Sequence, residues 1–395
     1  MLKRFLAICA AAALLLTGCS AGSTPSFEFS GNSSGSSSSD SSHGNSGSSS
    51  GGSKSGDSKP DNSSESSSES FSGSSGESSK EPSGEPAPSD PPQGNSLKVC
   101  YDPINDCTLE FDGDTVFFSG SSEIIESVFC EKNADVEFER DGNDFVYKVK
   151  CKNFTGYFNF LLTDGNHSYD IRLKKDKNGV SFPDVSEVKK YNELVAANPV
   201  STAPNITAKY ITRNGKTDKA GEVLKKIKEI SDGICKGLSS DYDKLRAISR
   251  WVSDNIYYDH PAYRKGIPDE CLSLEYMLDK HSSVCGGYSN MTSALCAAQG
   301  IRCLNINGKA ITGRYCYAEN QNGEHHEWNY AIIDGRGIWV DSGWNSYNGL
   351  YDGGRYSHGD IGYFYFDIGS DIFALDHAAS SAQYRDYFCP ELYKN

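Results

Sequence analysis

Basic residues are in short supply in this 395-residue chain: 38 Lys and Arg face 53 Asp and Glu, for a formal net charge of −15. A phosphate backbone is gripped by a basic face, so a nucleic-acid partner is excluded. No apolar run approaches the roughly 18 residues of a membrane-spanning helix, so the chain is not expected to cross a bilayer. Neither a CxxC pair nor an HExxH helix occurs, so neither a metal site nor a cofactor is expected. Residues 1–95 hold almost nothing that could bury a core. Everything globular must lie in 96–395, enough for one small and one medium domain.

The first residues read as an export signal, spanning 1–19. Lys3 and Arg4 precede an apolar stretch of 12 residues, Phe5 to Leu16; about 20 would be needed to span hydrocarbon. Leu16-Thr17-Gly18-Cys19 resembles the lipobox of bacterial lipoproteins, which makes Cys19 the expected lipidation site. Two acyl chains there would give stable anchoring and place the protein on the extracellular face of a bacterial cell membrane. From 20 to 95 the chain is Ser, Gly, Asp and Glu with scattered Pro, a composition that stays disordered because burial cannot offset its ordering entropy. This linker carries ten acidic residues and three lysines, nearly half of the net charge, so the acidity says little about substrate. As a coil it spans on the order of 50 Å, and fully stretched about 250 Å.

Residues 96–184 show the signals of short strands, at Thr115–Ser119, Phe145–Cys151, Tyr157–Leu162 and Tyr169–Leu173. Val136 and Phe138 alternate with Glu137 and Glu139. Turn signals separate them: Asp112-Gly113, Asp141-Gly142-Asn143, Asp164-Gly165-Asn166 and Asn178-Gly179. This spacing predicts a small all-β sandwich, immunoglobulin-like in style, serving as a spacer or binding module.

Over 185–395 the period changes. Val223, Ile227, Ile230 and Ile234 have helical spacing within Lys219–Leu238. Asp241 reads as the N-cap of a second helix with Leu245, Ile248, Trp251, Val252 and Ile256 on one face. A third helix is expected to begin near Cys285, carrying Tyr288, Thr292, Leu295 and Ala298. Strands are expected at Arg302–Ile306, Trp328–Ile333, Ile338–Asp341 and Tyr363–Ile368. Helices followed by strands indicate an α+β domain.

Three residues in this region fit one chemistry. Cys285 stands in Val284-Cys285-Gly286-Gly287-Tyr288, where a helix N-terminus favours a thiolate and small neighbours admit a substrate backbone. Downstream, Asp334-Gly335 is a strong two-residue hairpin signal. A turn there pairs Ile333 with Arg336 and, counting outward, Trp328 with Asp341. His326 then becomes the diagonal neighbour of Asp341, about 7–8 Å away along the backbone and within side-chain reach. His325 points the other way, and a one-residue slip would reverse the choice. An imidazole shares the thiol proton, and a carboxylate on its other nitrogen fixes the tautomer. The alternative is that His326 and Asp341 are ordinary hairpin polar positions and Cys285 belongs to a disulfide.

The Cys285 segment with its helix and Gly300-Ile301-Arg302-Cys303, the His326-Glu327-Trp328 step and Ile338-Trp339-Val340-Asp341-Ser342 resemble the core of the transglutaminase-like superfamily. Arg250-Trp251-Val252 and Asn255-Ile256-Tyr257-Tyr258-Asp259 resemble its leading helix. The likeness covers about Leu224 to Asp376. It implies a papain-like fold, a Cys-bearing helix packed on an antiparallel sheet that bears His and Asp. It also implies Cys285 as nucleophile, His326 as general base and acid, and Asp341 as orienting carboxylate. One feature departs from such enzymes. No Gln occurs between 94 and 298 and no Trp between Val252 and Cys285, so the second oxyanion donor is open among Tyr257, Tyr258 and Tyr276.

With Cys9, Cys19 and Cys285 set aside, ten cysteines remain: 100, 107, 130, 151, 235, 271, 296, 303, 316 and 389. An even number in an exported chain is compatible with disulfides within each domain. The expected activity is thioester acyl transfer on protein, peptide or peptidoglycan stem-peptide amides, with crosslinking and hydrolysis both open. The competing expectation is an inert transglutaminase-like domain that binds a cell surface or cell wall.

Overall fold

Alternation of side chains organises the first part of the computed structural model, which describes residues 96–393 apart from 102–103, 123–124, 164–166 and 313–315. The signal peptide, the lipobox with Cys19, the linker and the Asp164-Gly165-Asn166 turn lie outside the described residues. In Thr115–Ser121 the buried residues are Val116 and Phe118. In Asp144–Cys151 they are Phe145, Tyr147, Val149 and Cys151, as a period of two requires. One antiparallel sheet has the order Ser96–Tyr101, Ile104–Asp112, Thr115–Ser121, Asp144–Cys151, Ala134–Asp141. A second runs Ser127–Cys130, Gly156–Thr163, Ser168–Asp176, Gly179–Ser181. Phe118 joins them, with ring centroids 5.2 Å from Phe145 and 6.0 Å from Phe160. The three expected turns within the described residues fall between these strands. Ala134–Asp141 is a strand, but its alternation does not mark a core face. It is an edge strand, so Val136 and Phe138 stay 47% and 44% exposed, and Phe138 stacks on Tyr147 instead.

The helices of the second part are set by apolar periodicity and caps. Ala220–Ile234 buries Val223, Leu224 and Ile227. Asp241–Asn255 buries Leu245, Ile248 and Val252, but its N-cap is Ser240, one residue before the position expected. The Ser240 hydroxyl oxygen accepts from the Asp243 N–H at 3.0 Å, and the extended Ser240 backbone leaves Asp241 as the first helical residue. Cys285–Ala298 is buried on every side from Gly286 to Cys296. It is the central element, enclosed by helices and the sheet alike. Helices at Ser186–Ala197, Pro204–Ile211, His260–Arg264 and Leu274–Lys280 were not among the sequence expectations.

The main sheet has the order Val200–Ser201, His377–Tyr384, Arg302–Ala310, Glu324–Ile333, Arg336–Val340. The hairpin register is the one the Asp334-Gly335 turn dictates: Ile333 pairs with Arg336 and Asn329 with Val340. Both turn residues have positive φ, 51° and 77°, the geometry of a type I′ turn. The expected strand at Tyr363–Ile368 is a correction. That segment makes a single bridge, Val340 to Phe366, and leaves the strand path at Asp367 with φ 54°. A strand not expected from the sequence, His377–Tyr384, instead pairs on the other side of the sheet with Arg302–Ala310, and its small residues admit close packing. Opposite Ala379, a Cβ on Gly308 would stand 2.3 Å from the Ala378 carbonyl oxygen.

All described residues fall within one compact unit, Asp90–Asn395. The two parts meet through Tyr169 stacked on Phe364 at 5.1 Å and Arg172 bonded to Glu319 at 3.1 and 3.2 Å. Among the described residues, no helix is long and apolar enough to cross a membrane.

Candidate active site

Cys285 is the first residue of its helix, preceded by Val284, whose backbone is extended and whose side chain offers no cap. The N–H groups of the first turn thus lack side-chain caps, and the positive end of the helix dipole lies at the sulfur. The thiol is half-buried, whereas Cys271 and Cys296 nearby are fully enclosed. Gly287 has a packing reason of its own. A Cβ there would lie 1.8 Å from the Ser283 Oγ, which donates to the Cys271 carbonyl oxygen. A Cβ on Gly286 would lie 3.2 Å from Leu272 and 3.3 Å from Glu327 Oε2. The space beside these glycines is therefore filled by protein, against the expectation that both would admit a substrate.

His326 lies on the strand Glu324–Ile333, and Asp341 directly follows Arg336–Val340. Their side chains meet with Nε2 to Oδ2 at 2.6 Å, while the Cys285 thiol neighbours the same imidazole. His325, one residue earlier, is exposed. The structure thus brings together the three residues singled out from the sequence. Asp341 is buried, and its other oxygen, Oδ1, accepts from the Trp344 N–H at 2.9 Å. Burial works against the charge on both partners, and their mutual attraction outweighs it. The Asp341 carboxyl is held well below the usual carboxylate range by His326 and His377. The His326 imidazole is pulled down by burial but pushed up further by Asp341, and also by Cys285, to about 10.

Several polar residues around the site carried no sequence signal. His377 is fully buried, with Nε2 3.2 Å from Asp341 Oδ2 and Nδ1 2.5 Å from Asp376 Oδ1. The Tyr365 hydroxyl donates to Asp376 Oδ2 at 2.8 Å. Behind the Cys285 helix, Asn305 donates to Ser289 Oγ at 2.6 Å and to Glu327 Oε1 at 3.0 Å. Arg385 donates to the same Glu327 oxygen at 3.3 Å. An Asp-His dipeptide on a short polar-and-small segment has no periodicity to mark it. Only the adjacency of Asp376 and His377 was there to be read.

The three tyrosines left open as oxyanion donors separate in the structure. The Tyr257 hydroxyl is exposed and lies 3.3 Å from His358 Nδ1. Tyr276 has Arg213 over its ring at 5.1 Å and interacts with Ser282. Tyr258 pairs in parallel with Ser283, two residues before the nucleophile position, and packs against Val284. Burial, and then the neighbouring Cys285 sulfur, raise its phenol well above the ordinary value.

Among the described residues, one group could hold a cation by proximity: the ligating atoms of His326, Asp341 and His377 lie within 4.8 Å of one another. Both contacts to Asp341 are already hydrogen bonds carried by ring N–H groups, so a cation would have to displace those protons. None of the ten cysteines with described side chains is in a disulfide. Cys130 is within hydrogen-bond reach of Cys151, and Cys296 of Cys303.

Residues 228–344 match the model of the Transglutaminase-like superfamily, a span that includes Cys285, His326 and Asp341. Over that span the resemblance read from the motifs is borne out. Among curated proteins, 127 residues are 28% identical to kyphoscoliosis peptidase of Mus musculus, covering 32% of this chain and 19% of that protein. The chain therefore spans about a fifth of that relative's length. Among solved structures, one described as a candidate cysteine protease of Cytophaga hutchinsonii is 13% identical, covering 69% of this chain and 84% of that one, with a TM-score of 0.26. Another, described as a TGase, is 16% identical, covering 56% and 47% respectively, also with a TM-score of 0.26.

Proposed function

We propose that the protein is a cysteine acyl-transfer enzyme acting on protein or peptide amides. The observation that carries this reading is the Cys285 thiol at a helix N-terminus, beside an imidazole that is itself fixed by a buried carboxylate at 2.6 Å. The Cys285 sulfur adds to the amide carbonyl carbon and His326 gives its proton to the departing nitrogen. As the C–N bond breaks, a thioester remains on Cys285. Water or a second amine then attacks the thioester carbonyl, His326 takes the proton of the attacking group, and the thiol is regenerated. Asp341 holds the imidazole in the tautomer that offers Nδ1 to the sulfur and stabilises the imidazolium between the two steps. Tyr258 is assigned the second oxyanion donor, beside the Cys285 backbone N–H, because its half-buried phenol neighbours the sulfur.

The same reading places the enzyme outside the cell, joined to the membrane through a lipid on Cys19 and held off it by residues 20–95. Its substrates are then surface proteins or peptidoglycan stem peptides. The sandwich-like module at 96–184 serves as spacer or binding surface.

The test is the rate of Cys285 alkylation by iodoacetamide against pH, read by mass spectrometry, in the native chain and in His326→Ala. Fast labelling of this one cysteine below pH 7, lost in the variant, is the expected result. Equal profiles would leave an inert domain that binds without reacting.

A further inference from the structure

His377 is the one imidazole in the site for which acyl transfer has no direct use, yet its surroundings are the most constrained. Its side chain is fully enclosed. Four aromatic rings surround it, with centroids at 4.1 Å for Phe373, 4.6 Å for Trp344, 4.9 Å for Trp328 and 5.4 Å for Tyr365. Both ring nitrogens face carboxylate oxygens, Nε2 towards Asp341 and Nδ1 towards Asp376. An ionised carboxylate only accepts hydrogen bonds, so two such contacts on one imidazole require two N–H donors. A ring with two N–H donors is an imidazolium, and enclosure by aromatic faces favours a cation further.

We propose that His377 is a positioning residue of this site: a permanently charged imidazolium that keeps Asp341 and Asp376 ionised together in the interior and so fixes Asp341 for His326. The inference rests on the acyl-transfer reading only in that it assigns the purpose of Asp341. The groups that face His377 from the elements packed on it are Asp341 and His326 from the central hairpin, Asp376 beside it and Tyr365 from the preceding loop. Tyr317 adds a phenol near Asp376. From the helix Ser186–Ala197 comes only the neutral Asn192, whose amide donates to the His377 carbonyl oxygen at 2.9 Å. Two carboxylates and one further imidazole thus surround the ring, with no Lys or Arg among these contacts. Without His377 the enclosed Asp341 and the half-buried Asp376 share only the His326 imidazolium, so the site binds a further proton more readily. In that state Asp341 holds the His326 imidazolium less firmly.

The experiment uses the full chain with 15N-labelled histidine. The expected result is that both His377 ring nitrogens carry the chemical shift of protonated nitrogen at pH 7 and still do at pH 8. A neutral ring at pH 7 overturns the proposal. This measurement needs no reaction at Cys285, so it separates the proposal from the enzyme reading. In His377→Gln, the Cys285 alkylation rate at pH 6 is expected to fall at least about fivefold and to recover at pH 9. In the double variant D376N/H377Q one anion and one cation are removed together, and most of the pH 6 rate should return. A loss independent of pH, or one deepened by D376N, would mean a role in packing alone and would overturn the inference. Should the variants fail to fold, the nitrogen shifts of the native chain decide the question alone.

Discussion

Replacing Asp341 by Asn removes one charge and little else. Asn keeps an oxygen for the Trp344 N–H, which lies 2.9 Å from Asp341 Oδ1, but it takes the anion away from His326 Nε2 at 2.6 Å. With that contact the two charge centres are about 4 Å apart, and at an effective dielectric of about 20 their attraction is about 4 kcal/mol. At 1.36 kcal/mol per pH unit this is roughly three units. The His326 imidazolium, which in the native site persists to about 10, is then lost near pH 7 in the variant. The sign follows from the raised value. The protonated ring and the stability it contributes are fully present below the ordinary imidazole range and disappear as pH rises through the folded value. Histidine-selective NMR titration from pH 5 to 11 measures the displacement, and Cys285 alkylation at pH 8, where only the native ring is still charged, should fall alongside it. A melting temperature lowered by about 3 kcal/mol worth of stability is expected too, because buried His377 also loses one of its two carboxylate partners. An Asp341→Asn protein whose His326 still titrates near 10 would refute the electrostatic account and leave the carboxylate a geometric brace.

Tyr258→Phe should fold normally and form the thioester 10²–10³-fold more slowly, as expected for loss of an oxyanion donor, with Cys285 alkylation unchanged; single-turnover release of amine from a peptide amide measures it. An unchanged thioester rate would return the oxyanion role to backbone N–H groups. Gly287→Ala drives a methyl group into Ser283 Oγ and should destabilise the chain by about 1–3 kcal/mol in urea unfolding, with Ser283→Gly relieving most of the loss. Ser240→Ala removes the cap of Asp241–Asn255 and should cost about 1 kcal/mol, whereas Asp241→Ala should cost clearly less. Under native conditions iodoacetamide should modify Cys285 well before the enclosed Cys107, Cys296 and Cys303, as peptide mapping over time would show.

Much of the site was legible because its residues are tied together locally. Asp334-Gly335 demands positive φ at two consecutive positions, and that one demand fixes the register of the hairpin. The register then decides that His326 rather than His325 reaches Asp341, fifteen residues away along the chain. The start of the Cys285 helix was likewise readable, since the small residues that open it and the apolar spacing beyond it are local features. The strands of residues 96–184 followed from period-two alternation and Gly-containing turns. At Val136 and Phe138 the alternation marked a strand but not its place in the sheet: one strand pattern serves an edge and a centre equally well, and pairing partners decide which it is.

Whatever depended on partners distant in sequence was decided by the tertiary structure. Tyr363–Ile368 has the composition of a strand, but it touches the sheet edge only at Val340 and turns away at Asp367, whereas His377–Tyr384, with no strand-like apolar pattern, is held in the sheet by its packing on Gly308. The placement of Tyr258 beside the Cys285 sulfur came from the parallel pairing of its strand with Ser282–Ser283, a contact between segments about 25 residues apart that no local pattern encodes. His377 shows the limit most sharply. Its neighbour Asp376 was visible in the sequence, but Asp341 and the four aromatic rings come from four separate segments. A chain can announce a nucleophile, a base and a turn through local chemistry, whereas a buried ion network exists only once packing has excluded water from around it.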